Sequence, residues 1–420
     1  MSSSPTVVVD AVLQRALLLD GRTVDVHIAA GRIVAVIETG TPLPDGATIH
    51  DLAHRLLLPA MAEPHAHLDK ALLAATTRND TGDLAGAMQA LGSALDAGQF
   101  AHDALVERAT AAVEMLIRHG VTAVRSHVNV GEGIGARFVA AIAEVRSAFR
   151  DLIDVEIVAL THTPLTGSAG SGNRAALAQA FGAGADLVGG CPHLDPNGIE
   201  FIETVLAAAT EAGIGLDLHM DETLDPRAST LRELARMVTE SGFTHGVTAS
   251  HCVSLGMQTP DVQRSTAIAV AAARIAVVAL PPTNLYLQGR EHFGAIPRGL
   301  APIELLRSQG VLVAAGGDNV QDPFNPLGRG DPLETAALLV LAGHQQPDTA
   351  YAMVSNDARE VMGLRRIEMR PGDPADFVAV RAASEREVIA DATSDRLVFH
   401  DGRLVASTTS QTTIHRTSRV

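Results

Sequence analysis

The stretch "LLLPAMAEPHAHLDKALL", residues 56–73, joins an apolar run to a group of polar residues. His65 and His67 stand two positions apart where this run ends. In a β-strand the side chains at positions i and i+2 lie on the same face, so the two imidazoles would point the same way. We expect a strand over residues 56–67. A histidine pair on such a rigid base is a typical start for a metal site.

Downstream of this stretch, apolar and β-branched runs recur, and most of them precede a helical pattern. The predicted strands cover residues 56–67, 121–130, 154–162, 185–193, 214–221, 246–253, 275–283 and 311–318. Eight strands that alternate with helices favour a closed parallel (β/α)8 barrel of the TIM type over an open sheet. We predict that the barrel covers residues 57–365.

The two ends of the chain have a different pattern, with short β segments joined by turns. Asp401-Gly402, for example, is a typical hairpin turn. We predict that residues 1–56 and 366–407 together form one small β-sandwich domain beside the barrel, and that residues 408–420 are a polar tail.

The composition limits the classes of partner. The 420 residues are 46% hydrophobic and carry a formal net charge of −16, which argues against a nucleic-acid or anionic-membrane surface. No apolar run reaches the roughly 18 residues of a membrane span, and the N-terminus lacks the features of a signal peptide. The two cysteines give no disulfide framework. We therefore expect a cytoplasmic protein with a small-molecule substrate.

Polar residues stand at the ends of several predicted strands. His65 and His67 close the first strand, His219 lies near the end of the fifth, His251 lies in the sixth, and Asp318 closes the eighth. A histidine or aspartate at one strand end is more often an ordinary hydrogen-bonded residue or a helix cap. A barrel, however, brings all its carboxyl strand ends together. Three imidazoles and a carboxylate there suit a divalent transition metal with one open coordination position.

The chain resembles the amidohydrolase superfamily, in particular its cytosine deaminase-like branch. The resemblance rests on five motifs in this order: "PAMAEPHAHLDK", "LDLHMDE", "VTASHC", "NLYLQGR" and "GGDNVQDPFNPLG". The resemblance covers roughly residues 55–365. It implies one divalent metal ion, zinc or iron, held by His65, His67, His219 and Asp318. Dinuclear members bridge two ions with a carboxylated lysine near the end of the fourth strand. The corresponding "ADLVGGCPHLD" has no lysine, so we predict one ion.

The resemblance also implies roles for the remaining polar residues. Glu222 would shuttle a proton to the substrate ring, which requires the fifth strand to end between His219 and Glu222. Asp318 would act both as metal ligand and as base for the attacking water. His251 would orient the hydroxide and stabilise charge on the attacked centre without binding the metal. We interpret Lys70 as a structural ion-pair partner.

The predicted function is a metal-dependent hydrolase, most simply a deaminase that removes the exocyclic amine of a heterocycle such as a pyrimidine or triazine. His162 stands where cytosine deaminases carry a glutamine, and Asn319 where they carry a second aspartate, as in the "DN" of N-isopropylammelide amidohydrolases. We predict that both contact the substrate, together with Phe324, Gln288 in the loop after the seventh strand, and His193. His193 could instead support a neighbour of the substrate.

Three alternatives remain open at this point. One is hydrolysis of another C–N bond, with release of an alkylamine from a triazine or opening of a cyclic amide. A second is an NAD-binding oxidoreductase, because Gly131, Gly133 and Ala136 form a G-x-G-x-x-A pattern. The acidic residues that would bind the ribose, Asp154 and Glu156, lie at the wrong end of the next strand. The third is a metal-holding barrel without activity. By analogy with related barrels, we expect a homo-oligomer.

Overall fold

The computed structural model describes residues 8–415; the first residues of the predicted small domain, 1–7, and the end of the predicted tail, 416–420, lie outside the described residues. The strands within this range are, in chain order, β1 (Ala11–Leu17), β2 (Thr23–Ala29), β3 (Arg32–Glu38), β4 (Thr48–Asp51), β5 (Leu56–Pro59), β6 (Met61–Ala66), β7 (Val121–Val130), β8 (Asp154–Thr161), β9 (Leu187–Gly190), β10 (Gly215–Met220), β11 (Val247–His251), β12 (Ala276–Ala279), β13 (Val313–Ala315), β14 (Phe377–Val380), β15 (Arg396–His400) and β16 (Arg403–Thr408).

The α-helices of the same range lie mostly in the connections between strands. They are α1 (Leu84–Asp96), α2 (His102–Arg118), α3 (Arg137–Phe149), α4 (Ser171–Ala183), α5 (Gly198–Ala212), α6 (Thr230–Ser241), α7 (Pro260–Ala272), α8 (Pro281–Leu287), α9 (Ile303–Ser308), α10 (Pro332–Leu341), α11 (Pro347–Met353), α12 (Asn356–Val361) and α13 (Glu385–Asp391). Short 3₁₀ turns cover Leu73–Ala75, Pro192–Leu194 and Ser254–Met257. Within residues 8–415, no helix combines the length and apolar character needed to cross a membrane.

Strands β6 to β13 form one sheet in which each strand pairs in parallel with the next along the chain. A parallel bridge between Ala66 and Asp318 joins the first strand to the residues that follow the last one. There the Asp318 N–H donates to the His65 carbonyl oxygen at 3.1 Å. The sheet is thus closed into a ring, which confirms the predicted (β/α)8 barrel.

The second sheet combines both ends of the chain, in the order β16-β15-β14-β5-β1-β2-β3, with β4 paired to β1. Its own small core includes Leu13, Phe377 and Phe399. Asp401 and Gly402, both with positive φ, form the two-residue turn between β15 and β16, as hairpins with right-handed twist require. The prediction of a small domain built from both termini is confirmed.

The predicted strand over residues 56–67 is in fact two strands in different sheets. β5 pairs with β14 of the small domain, whereas β6 pairs with β7 of the barrel, and Ala60 separates them. One apolar run therefore contributes to two hydrophobic cores, and its periodicity does not show where the first strand ends and the second begins. We propose that the domain boundary lies at Ala60.

The seventh predicted strand, 275–283, is shorter than expected. β12 ends at Ala279, and α8 begins at Pro281. Proline is favoured in the first helical turn because the N–H that it lacks would have no partner there. The first part of "NLYLQGR", Asn284–Leu287, is therefore helical, and Gln288 follows the end of this helix rather than the end of the strand.

Candidate active site

Four side chains meet where the first, fifth and eighth barrel strands end. The Nε2 atom of His219 lies 3.2 Å from that of His65 and 3.3 Å from that of His67. The Oδ1 atom of Asp318 lies 3.7 Å from His65 Nε2 and 3.2 Å from His67 Nε2. Neighbouring ligands around a tetrahedral zinc ion, each about 2.0–2.1 Å from it, are about 3.4 Å apart. These four separations are close to that value. The candidate ligand atoms of His65, His67 and Asp318 all lie within 4.8 Å of one another, and those of His65, His219 and His251 form a second such set.

Hydrogen bonds on the far side of two rings fix which nitrogen faces the cluster. His65 Nδ1 lies 2.9 Å from Ser250 Oγ, and His67 Nδ1 lies 3.1 Å from the carbonyl oxygen of His127. These contacts place Nδ1 on the far side of the His67 ring, so that its Nε2 faces the cluster. Such partners on the other ring nitrogen are usual for histidines that bind metals.

The electrostatics of the cluster also fit a cation. Burial lowers the pKa values of His65 and His219 well below the ordinary range, so both imidazoles are neutral, as ligation requires. The buried Oδ1 atom of Asp318 has no hydrogen-bond donor among residues 8–415. A buried carboxylate oxygen without a donor is costly unless a cation is bound. The donor set therefore fits one divalent metal ion.

A chain of buried polar groups contacts His65 on the side of its ring that faces away from the cluster. Ser250 Oγ donates to Asp217 Oδ1 at 3.1 Å, and Asp217 Oδ2 accepts from Arg125 Nη1 at 2.8 Å. The ring of His127 stacks on that of His65, with centroids 3.9 Å apart. Sequence reasoning missed Asp217 and Ser250. The signal for Asp217 was its position two residues before His219, on the same face of β10.

The backbone of the site is held in an uncommon conformation. Asp221, His251, Cys252 and Asp318 all have positive φ, between 49° and 68°. Residues other than glycine seldom adopt this region, and where they do, they concentrate at functional sites. The chain turns sharply at these strand ends and so directs polar side chains over the mouth of the barrel.

Glu222 lies beyond the end of β10, which stops at Met220, so the strand does end before it. Its Oε1 atom is 3.5 Å from His251 Nδ1, which also lies 2.9 Å from Asn284 Oδ1. The Nε2 atom of His251 is 3.9 Å from Asp318 Oδ2. Burial raises the pKa of Glu222 to about 7. A carboxyl group that can hold or release a proton near neutral pH thus stands beside the metal-binding cluster.

A cavity of about 310 Å³ opens onto these groups, and three of the predicted substrate contacts line it: His162, Asn319 and Phe324. The Asn319 amide is oriented by two neighbours. Its Oδ1 accepts from Thr283 Oγ1 at 3.2 Å, and its Nδ2 donates to Asp322 Oδ2 at 2.8 Å.

The other two predicted contacts, Gln288 and His193, lie outside the residues that line the cavity. Gln288 Nε2 instead donates to the backbone oxygen of Glu222 at 3.3 Å. His193 is largely shielded from solvent, and burial lowers its pKa to about 4. The structure therefore favours Gln288 as a support for the segment that carries Glu222, and it does not bring His193 to the cavity.

Lys70 and Cys191 also line the cavity. Lys70 Nζ lies 3.2 Å from Asp69 Oδ1, in agreement with the predicted ion pair, and 2.8 Å from His67 Nδ1. Cys191 directly follows β9, and burial raises the pKa of its thiol to about 12. At neutral pH this thiol is protonated.

The glycine pattern after β7 has a packing role. A Cβ atom added at Gly131 would lie 2.4 Å from Nδ1 of His162, so the imidazole already occupies the space beside this glycine. A dinucleotide fingerprint needs that space for the approach of a pyrophosphate. The pattern is therefore not a dinucleotide site.

Fold and site together are those of a barrel hydrolase with a histidine-rich candidate metal site, and comparisons with known proteins agree on the class. A family model described as "Amidohydrolase family" matches residues 94–406. A pterin deaminase of Rhizobium rhizogenes is 32% identical over 386 residues, which cover 91% of this chain and 87% of that protein.

Solved structures show the same architecture. The N-isopropylammelide isopropylaminohydrolase of Burkholderia multivorans superposes with a TM-score of 0.83 at 26% identity, covering 94% of this chain and 98% of that one. The 5-methylcytosine deaminase of Klebsiella pneumoniae gives a TM-score of 0.84 at 24% identity, over 97% and 99% of the two chains.

The chain belongs to the amidohydrolase family. It is a hydrolase that acts on carbon–nitrogen bonds, and the oxidoreductase alternative is wrong.

Proposed function

We propose that this chain is a metal-dependent deaminase that hydrolyses the exocyclic amine of a nitrogen heterocycle and releases ammonia. The observation that carries the proposal is the position of Glu222, a buried carboxyl group with a pKa near neutrality, in the same cavity as the metal-binding cluster. Similarity to a pterin deaminase and to an isopropylammelide aminohydrolase supports a heterocyclic substrate.

The metal-binding residues in this proposal are His65, His67, His219 and Asp318, which would hold one zinc or iron ion. Such an ion lowers the pKa of bound water to about 7 and so provides a nucleophile at neutral pH. The carboxylate of Asp318 has two separate tasks. Its Oδ1 faces the imidazoles of the cluster. Its Oδ2 faces His251, accepts the proton of the attacking water and passes it to the amine, so that the C–N bond breaks with release of ammonia.

Glu222 delivers a proton to the ring nitrogen next to the attacked carbon. A pKa of about 7 lets it carry that proton at neutral pH and recover it afterwards, which is the condition for an efficient acid–base group. His251 is held through Nδ1 by Asn284, so its Nε2 atom keeps a fixed position near Asp318. We assign to His251 the orientation of the nucleophile and the stabilisation of developing charge.

The proposed substrate contacts are His162, Asn319 and Phe324. Because Thr283 and Asp322 each use one hydrogen-bonding position of the Asn319 amide, one N–H and one lone pair remain for a ring edge. Burial lowers the pKa of His162, so its imidazole is neutral and can donate from one nitrogen and accept at the other. Phe324 offers an apolar surface for the face of the ring.

The test is an ammonia-release screen of protein reconstituted with zinc or iron. The panel contains cytosine, isocytosine, methylated pyrimidines, pterin, creatinine and aminotriazines, and alkylamine is measured separately because the alternative C–N cleavage would release it. We expect ammonia from at least one amino-heterocycle. In the Asp318→Ala variant, metal content and turnover should both fall.

Two results would contradict the proposal. Alkylamine without ammonia would favour the alternative cleavage. Full metal content without turnover of any compound in the panel would favour a metal-holding barrel that only binds.

A further inference from the structure

Helix α1 buries its small apolar residues and leaves its large apolar residues partly exposed, which is the reverse of what packing usually favours. Its fully or nearly buried apolar residues are three alanines, Ala87, Ala90 and Ala94. Its large apolar residues line the cavity instead; we call Leu84, Met88, Leu91 and Leu95 the α1 wall. These four positions have the i, i+4, i+7, i+11 spacing of one helix face.

Packing alone does not explain this arrangement. Removing a leucine or methionine side chain from water contributes far more to stability than removing an alanine, so a helix that only packs would bury the larger residues. Met88 is 49% exposed, and Leu84, Leu91 and Leu95 are only partly buried. An apolar face left half open inside a cavity is typical of a ligand-binding surface.

The rest of the cavity supports the same interpretation. Phe100 and Phe138 stack with ring centroids 5.0 Å apart, and both line the cavity together with Ile134 and Leu194. The polar lining, by contrast, includes residues at strand ends, such as His219 and Asp318. One cavity thus combines a reactive polar region with an apolar region.

The polar edges of a bare amino-heterocycle would gain nothing from the apolar region. Its ring nitrogens, carbonyl oxygens and amine would lose hydrogen bonds to water without finding new ones. Carbon–hydrogen groups attached to the ring would gain from burial there. At about 310 Å³ the cavity is at the small end of ligand sites, which suits a ring with a short chain.

We propose that the preferred substrate is an amino-heterocycle with an apolar substituent, a short alkyl chain or a small aryl group, that lies against the α1 wall and the Phe100–Phe138 pair while the ring lies at the metal-binding cluster. This inference rests on the proposed deaminase function and names its substrate class. Each buried methylene contributes about a fourfold gain in binding. We expect kcat/KM for a propyl-substituted ring to exceed that of the parent ring by at least ~10-fold.

The experiment compares matched pairs of probes: pterin with 6-propylpterin, and cytosine with 5-propylcytosine, in ammonia-release assays of the metal-loaded full chain. The same pairs are then measured with the double variant Met88→Gln/Leu91→Gln, which keeps good helix formers at both positions. We expect the propyl-to-parent ratio of kcat/KM to fall by at least ~5-fold in this variant, because the amide groups replace the apolar contacts of roughly two methylenes.

A second variant, Leu194→Gln, tests the same ratio from another segment and covers the case in which changes in α1 unfold the helix. The matched control is Ile268→Gln, which changes an exposed apolar residue of α7 away from the cavity and should leave the ratio unchanged.

The outcomes separate the two proposals. If no probe and no compound of the wider panel releases ammonia, the deaminase function fails. If parent rings react as well as or better than propyl rings, or if the ratio is the same in wild type and in both cavity variants, the function stands and the inference on the substituent is wrong.

Discussion

At the scale of single residues, one hydroxyl group contacts the imidazole of a proposed metal ligand, His65. Ser250 Oγ lies 2.9 Å from His65 Nδ1 and donates to Asp217, so the ring of His65 is held from behind. Partners of this kind typically change metal affinity by 10- to 100-fold.

We therefore expect Ser250→Ala to weaken metal binding by about 10- to 100-fold, measured by titration against a competing chelator. The matched control is Ser265→Ala, which removes an exposed hydroxyl from α7 that bonds only to the Val262 carbonyl oxygen among the described residues. Equal affinities for wild type and Ser250→Ala would show that His65 does not depend on this bond.

Glu222 allows a test that separates chemistry from metal binding. In Glu222→Gln the amide has nearly the same shape but cannot deliver a proton, so kcat should fall by at least ~10²-fold while metal content is unchanged. Ammonia release and metal analysis on the same preparation measure both quantities. The control is Glu233→Gln, which changes a partly exposed residue of α6 that pairs with Arg236 and should keep full turnover. If Glu222→Gln keeps nearly normal turnover, Glu222 has no part in the mechanism.

At the scale of elements, a pair of charged residues links β15 to the start of β14 and to the barrel. His400 Nδ1 lies 3.1 Å from Asp376 Oδ1, and Arg359 of α12 donates to Asp376 Oδ2 at 3.0 Å. Burial disfavours the imidazolium form of His400, but its hydrogen bond to Asp376 and the charges of nearby carboxylates outweigh burial and raise its pKa. Burial opposes ionisation of Asp376 as well, yet its polar partners outweigh it and lower its pKa.

These shifts predict a pH window for stability. The raised pKa of His400 contributes stability below its unfolded value of about 6.5, and this is lost as the pH rises through the folded value. The lowered pKa of Asp376 contributes stability above about 3.9, which is lost as the pH falls through its folded value. The pair is therefore most stabilising between these limits.

We expect the free energy of unfolding of wild type to fall between pH 6 and pH 9 more steeply than that of His400→Gln, which has no charge to lose. Urea denaturation across this range, followed by circular dichroism, measures the difference. Identical slopes for the two proteins would mean that His400 does not contribute in its charged form.

The elements also show what the sequence could and could not predict. The ring of strands followed from the alternation of apolar runs with helical patterns, because that alternation is a local property. The division of residues 56–67 at Ala60 depends on pairing with β14 and β7, which are remote in sequence. Local patterns carry no information on such partners.

The same limit applies to the site. Residues at strand ends were found because a barrel brings these ends together, whatever their order in the chain. Three placements needed coordinates: Ser250 behind His65, Gln288 beneath Glu222, and the α1 wall over the cavity. The first two are contacts between segments that are remote in sequence. The third depends on which face of α1 turns towards the barrel, and both faces are apolar.

At the scale of the whole molecule, a fully buried ion pair joins the small domain to the barrel. Arg396 of β15 donates to both oxygens of Asp331, which precedes α10, at 3.0 and 2.7 Å. Their side chains are 0% and 2% exposed. Removing one partner of a buried pair leaves the other charge in an apolar environment without compensation.

We expect Arg396→Leu to lower the free energy of unfolding by about 3–5 kcal/mol. The matched control is Arg381→Leu: Arg381 also pairs with an aspartate of the small domain, Asp395, but its side chain is 59% exposed, so the loss should stay below about 1 kcal/mol. Urea unfolding of the three proteins measures both effects. Equal losses for the two variants would show that burial of the Arg396 pair has no special weight.

The bridge between Ala66 and Asp318 has a consequence for biosynthesis. A growing chain released before the last barrel strand would contain the three imidazoles but not the carboxylate, so it would offer an incomplete set of donors. The ion of the proposed site would bind strongly only after the barrel has closed. It would then stabilise the contact between the first and last barrel strands, because a ligand that binds only the native form shifts the folding equilibrium towards that form.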